Sequence, residues 1–257
     1  MKFNPYIQPK QNILNTQLAP LTPNFKASEV GFYSAAYEPI KDSFTTNPLY
    51  NTFDNKAQIE AAAKSNPRIM EILSTLGIPL KINMEELAKL QTGHMKDVRV
   101  NAAKIYSALP QELKSQVNSE DIQQAAMLHD IGKIFIPKEI LNKSGALTPE
   151  ERKIVEFHSE LGYELLKSMG NVKPEVLALV KYHHQTANGG GYPREGENQG
   201  SDIAVQTMRA ADIYSALRET RPYKKAKTSD EALAIMREDV ESGKMSEDVY
   251  QALCRIA

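Results

Sequence analysis

"SEDIQQAAMLHDIGK" (residues 119–133) spaces its apolar residues as a helix does, then sets His129 beside Asp130 with Gly132 and Lys133 directly behind them. If the apolar stripe is buried, an imidazole and a carboxylate travel with it to the buried flank, where neither is tolerated without a partner. The rest of the chain from about residue 58 repeats the helical pattern. "AQIEAAAKS", "PRIMEILSTLG", "NMEELAKLQ", "HMKDVRVNAAKIYSAL", "TPEERKIVEFHSELGYELLKSM", "KPEVLALVKYHH", "IAVQTMRAADIYSAL" and "SDEALAIMRED" each read as one amphipathic helix. Thr148-x-x-Glu151 with Pro149 at the first helical position, Thr228-x-x-Glu231 and Asn83-x-x-Glu86 have the form of capping boxes or their near relatives. Alternating β-branched runs are nearly absent, "KIFIP" being the short candidate. The expected fold class is all-α, a helical bundle over residues 58–257 with no internal repeat.

Residues 1–57 differ in kind. They hold six of the fourteen prolines and show no sustained period, which predicts a largely irregular segment. They also hold nine of the eighteen Phe and Tyr residues, against the aromatic-poor habit of disordered chains. Such a segment either packs across the helical domain or docks a protein partner.

Bulk properties narrow the function. A chain of 257 residues, 41% hydrophobic and 25% charged, can bury one core of about 150 to 200 residues. A net charge of −1 provides no global basic field, so neither DNA, RNA nor an anionic membrane is an expected partner. The longest strictly apolar run, Val176–Val180, is far short of the ~20 residues of a membrane span, and the N-terminus lacks a signal-peptide apolar block. The single cysteine, Cys254, permits no internal disulfide and no thiolate metal cluster. A cytoplasmic protein is expected.

The five histidines, His94, His129, His158, His183 and His184, all fall within the helical stretches, and Asp212 follows in "RAADIYSAL". One helical histidine packs readily in a core with a satisfied ring nitrogen, but five with two carboxylates do not. A bundle can converge them on its axis, where a metal removes the cost. Five imidazoles with Asp130 and Asp212 exceed what one ion takes from protein while keeping a position open for water. Two ions bridged by one carboxylate use them all, and Asp130 beside His129 suits the bridge. Nitrogen and oxygen ligands suit iron, manganese, zinc, cobalt or nickel, and the sequence does not choose among them.

"HDIGK" (129–133), "IPKEILNKSGALTPEERKIVEFHSELG", "HHQTANGGGYP" (183–193) and "RAADIYSALRETRPYKKA" (209–226) together resemble the HD-GYP domain, a branch of the HD metal-dependent phosphohydrolases that degrades cyclic dinucleotides, chiefly cyclic di-GMP. The resemblance covers roughly residues 85–257. It implies an HD-type bundle in which His94, His129, Asp130, His158, His183, His184 and Asp212 are metal ligands, the set reached by counting. It further implies that Lys133 stands with Asp130 at the catalytic centre, as a cation against the scissile phosphate and a proton donor to the leaving ribose oxygen. Gly191, Tyr192 and Pro193 would shape the substrate site or serve as a protein-interaction surface, and Arg221 and Lys224 would grip the dinucleotide phosphates.

The implied reaction is hydrolysis of cyclic di-GMP by a water activated between two metals, giving pGpG, GMP or both. The alternatives are a mixed-base substrate such as cyclic GMP-AMP, or a metal-bound signalling scaffold of low turnover. Four positions depart from the family pattern. Gln185, Asn188 and Ser215 replace common acidic residues, and Leu90 stands where three-metal members carry a glutamate, which favours two metals.

Overall fold

Short polar side chains begin most helices in the computed structural model of the protein, which describes residues 55–194, 196, 198–220 and 225–257. Asn55 caps α1 (Lys56–Ser65), Asn66 caps α2 (Pro67–Thr75) and Asn83 caps α3 (Met84–Thr92). After α4 (His94–Ala108) and the single turn α5 (Gln111–Lys114), Asn118 caps α6 (Ser119–Ala126). A 3₁₀ helix over Ile131–Phe135 leads to the single turn α7 (Lys138–Leu141). Of the three expected boxes, Asn83 forms only the cap half, its side chain accepting the Glu86 N–H, while two form in full, at Thr148 before α8 (Pro149–Glu156) and at Thr228 before α12 (Ser229–Glu241). Between them run α9 (His158–Met169), α10 (Pro174–Tyr182) and α11 (Ile203–Arg218), and α13 (Glu247–Cys254) closes the chain. Each cap satisfies orphan N–H groups at a helix start and contributes about 1 kcal/mol.

The described residues form an all-α structure without strands. Helix α4 lies centrally, packed against both α6 and α11, which also touch each other. Val98, Ala102 and Ile105 of α4, Ile122 and Ala125 of α6 and Met208 and Ala211 of α11 are fully buried in one core. Helix α9 packs on α10 and on the 3₁₀ helix, adding Leu161, Leu165, Val176 and Val180. Burying each large aliphatic side chain contributes about 1.5–3 kcal/mol before its ordering entropy is subtracted. Among the described residues no helix is long and apolar enough to cross a membrane.

Three expectations change. "KIFIP" forms no strand: Lys133–Phe135 end the 3₁₀ helix and Ile136 follows in extended backbone, with Ile134, Phe135 and Ile136 buried. "TPEERKIVEFHSELGYELLKSM" is two helices, broken at Phe157, and "SEDIQQAAMLHDIGK" stops being α-helical after Ala126. The histidines therefore stand at helix ends rather than inside helices: His94 and His158 open α4 and α9, His183 and His184 follow α10, and His129 lies in the turn after α6. Nearly all of the segment assigned to residues 1–57 lies outside the described residues.

Candidate metal centre

Helix ends leave carbonyls without intrahelical partners, and three histidines use them. The Nδ1 of His129 donates to the Ala126 carbonyl at 2.8 Å, that of His158 to Val155 at 2.7 Å and that of His183 to Val180 at 2.8 Å. A carbonyl only accepts, so the proton sits on Nδ1 and the Nε2 lone pair is left for a ligand. Each helix end thus fixes both the tautomer and the aim of its ring. A Cβ on Gly132 would overlap the His158 carbonyl, so only glycine lets the 3₁₀ helix close on α9 and carry Asp130 to His158.

Asp130 is wholly buried at the middle of the cluster. Its Oδ1 lies 3.3 Å from Nε2 of His158, while Oδ2 lies 3.5 Å from Nε2 of His129 and 3.9 Å from Nε2 of His94. The second carboxylate, Asp212, meets Nε2 of His94 at 2.9 Å, Nε2 of His129 at 3.8 Å and Nδ1 of His184 at 3.9 Å. Nε2 of His158 and of His183 are 3.4 Å apart. Three triads gather their donor atoms within 4.8 Å: His158, His183 and His184; His94, His129 and Asp212; His129, Asp130 and His183. All seven residues singled out from the sequence come together.

The electrostatics suit a cation. Burial pushes His158 down to about 4 and His183 to about 3, and lowers His129 and His184 as well, so these four rings are neutral and basic at one nitrogen near neutral pH. Burial opposes the charge on Asp130 and Asp212, yet Lys133 and the neighbouring histidines hold Asp130 well below the carboxylate range, and the His94 hydrogen bond holds Asp212 there. His94 runs the other way: burial lowers it, but Asp212 outweighs burial and raises it. Nε2 of His129 and Oδ1 of Asp130 are buried and, among the described residues, make no hydrogen bond. Two ionised carboxylates, neutral imidazoles and unsatisfied donor atoms fit divalent metal of nitrogen–oxygen preference.

Lys133 donates to Oδ2 of Asp130 at 2.6 Å and lies partly exposed on a cleft of about 540 Å³ that also reaches His94, Glu86, Asn142, Lys143 and Glu219. The Tyr192 ring stacks on His184 with centroids 4.5 Å apart and meets His158 edge-on at 6.1 Å. Burial raises its phenol well above the ordinary value, so it stays a neutral apolar wall for the cluster. Gly191 has φ +79°, and a Cβ there would overlap the His184 carbonyl. The Gly-Tyr-Pro stretch therefore folds back onto the second histidine of the HH pair.

Residues 68–249 match the family model of the HD domain. The chain belongs to the HD domain family. It is similar to the cyclic di-GMP phosphodiesterase response regulator RpfG of Xanthomonas campestris pv. campestris (strain 8004), 40% identical over 116 residues that make up 45% of this chain and 31% of that protein. It is also similar to 3'3'-cGAMP-specific phosphodiesterase 1 of Vibrio cholerae serotype O1, 30% identical over 155 residues, 60% of this chain and 36% of that protein. The chain spans about a third of the length of these curated relatives. Among solved structures, Bd1817, a HDG"Y"P protein from Bdellovibrio bacteriovorus, superimposes with a TM-score of 0.50 over 84% of this chain and 67% of that one; at 18% identity the likeness is one of fold. The HD-GYP resemblance read from the sequence stands.

Within this HD domain, the departures from the HD-GYP pattern have local reasons. Gln185 is buried, donating through Nε2 to the Pro193 carbonyl at 2.8 Å and accepting the Gln199 N–H at 2.8 Å. A carboxylate could not make the first bond. Asn188 likewise donates to the Ser242 carbonyl at 3.1 Å while accepting from the Thr186 hydroxyl at 2.7 Å. Ser215 accepts from Asn101 at 2.9 Å, and Leu90 is buried in the core. Arg221 and Lys224 lie outside the described residues. Sequence reading missed Tyr192 as a partner of the histidine rings and Glu219 as a cleft residue; no local pattern around either position signals the contact.

Proposed function

We propose that this HD domain is a metal-dependent phosphodiesterase that hydrolyses a cyclic dinucleotide, with cyclic di-GMP as the first substrate and pGpG or GMP as product. The observation that carries the reading is Asp130: one oxygen toward His158, the other toward His129 and His94, and Lys133 bonded to it at the edge of an open cleft. In this reading His94, His129, His158, His183, His184, Asp130 and Asp212 would hold two divalent ions, iron or manganese, with Asp130 as the shared carboxylate. Bound there, the ions would supply positive charge for the phosphate oxygens and lower the pKa of a water to that of a nucleophile near neutral pH.

The chain's own groups do the rest. Lys133 is placed to neutralise charge gathering on the phosphoryl oxygens and to hand a proton to the departing O3′. As the water oxygen bonds to phosphorus, the P–O3′ bond breaks and the ribose hydroxyl is restored by that proton. Tyr192 and the buried rings keep bulk water from the cluster, and Gly191 and Pro193 hold Tyr192 there. Arg221 and Lys224 are assigned to the substrate phosphates, as cations that follow α11 in the chain. Residues 58–257 form the catalytic unit in this proposal, and residues 1–57 or the GYP loop offer a protein-docking surface. A cytoplasmic place of action goes with it, which the single thiol of Cys254 suits.

Cyclic GMP-AMP is the second reading, favoured by the similarity to a 3'3'-cGAMP-specific phosphodiesterase. The test is hydrolysis of cyclic di-GMP and cyclic GMP-AMP followed by chromatography, comparing the wild-type chain with a folded His129→Ala Asp130→Ala variant. Linear dinucleotide or mononucleotide from wild type alone is the expected result. A metal-loaded wild type that leaves both substrates intact overturns the enzyme reading in favour of a scaffold.

A further inference from the structure

His129, His158 and His183 are locked by one device, the carbonyl three residues earlier at a helix end. His94 is not. It opens α4, and Gly93 separates it from the end of α3. Its Nδ1 is buried and, among the described residues, makes no hydrogen bond. Oε2 of Glu219 faces that nitrogen at 3.9 Å, while Oδ1 of Asp212 lies 2.9 Å from Nε2 at the other edge of the ring. Both acids belong to α11, Asp212 within it and Glu219 at its C-cap. Seven residues make two helical turns, so the two carboxylates share one face and bracket the imidazole.

A histidine that gives its Nε2 lone pair to a metal must carry its proton on Nδ1, and a buried N–H needs an acceptor. We propose that Glu219 is the positioning residue of His94, accepting the Nδ1 proton and so fixing the tautomer and ring orientation that backbone carbonyls fix for His129, His158 and His183. The inference rests on the metal-dependent reading above. Glu219 touches the far edge of the ring and no reacting atom, so its effect is felt through the strength and placement of the ion that His94 holds. The sequence marks no motif at this residue; only the pairing of α11 with the start of α4 reveals it.

The experiment measures Mn(II) binding to the full chain by competition with a chromophoric chelator, for wild type, Glu219→Gln and Glu219→Ala, with thermal melts of each metal-free protein alongside. Glu219→Ala is expected to weaken one of two Mn(II) ions by about 10–100-fold. Glu219→Gln, whose amide oxygen still accepts the ring N–H, is expected to recover most of that loss. The metal-free melts should coincide. Wild-type affinity in Glu219→Ala overturns the proposal, as do equal losses in both variants, which would make the carboxylate a direct ligand. Metal-free melting points that fall in step with the affinity would make the role structural and overturn it too. A wild type that takes up no Mn(II) at all is a different failure, that of the metal reading itself.

Discussion

Lys133 and Gly132 occupy adjacent positions yet do unrelated work, and substitution separates them. The ammonium of Lys133 lies on Asp130 at the cleft, so Lys133→Ala should lower kcat by at least about 100-fold, the range of a lost general acid, while two metal ions remain bound. Elemental analysis beside the rate measurement decides; unaltered turnover removes Lys133 from the proposed chemistry. Gly132→Ala meets the His158 carbonyl instead, and overpacking of that kind costs about 1–3 kcal/mol or more, so the melting point should drop sharply. A melt like that of wild type would mean that the 3₁₀ helix can back away from α9. The types of the candidate ligands were legible in the sequence because imidazole and carboxylate are too costly to bury without purpose, and all seven converge. Glu219 and the stacking of Tyr192 on His184 were not, since both depend on contacts between segments far apart in the chain.

The elements present the histidines from their ends, and that arrangement carries its own expectation. Gln185, two residues past His183, ties the end of α10 to Pro193 and Gln199 by one donated and one accepted bond. Gln185→Glu, although it restores the acidic residue common in the family, removes the donated bond and buries a charge, so stability should fall by about 1–3 kcal/mol in thermal or urea unfolding. An unchanged midpoint would show that the loop is held by other contacts. Helical existence and capping were legible here, with both Thr-x-x-Glu boxes formed as expected. The breaks were not. Phe157 interrupts an unbroken apolar period with neither glycine nor proline to mark it, and the turn at His129 is imposed by the close approach of Gly132 to α9, which periodicity does not encode.

At the scale of the whole molecule, the fold concentrates basic rings and carboxylates in one buried place, and stability without metal must answer to pH. His158 and His183, pushed down to about 4 and about 3, bind fewer protons folded than unfolded below the ordinary histidine value near 6.5. The stability they allow is present above that value and lost as pH falls toward their folded values, with His129 and His184 acting in the same sense. His94 alone acts oppositely, so the chelator-treated protein should melt progressively lower from pH 7 to pH 4.5. A flat profile would place the rings in contact with water. The central claim, that Asp130 joins two ions, is tested most directly by elemental analysis of anaerobically purified wild type and Asp130→Asn. Two ions per wild-type chain, falling to one or fewer in the variant while it remains folded, is the predicted result. Two ions retained in Asp130→Asn, or one or none in wild type, would contradict it.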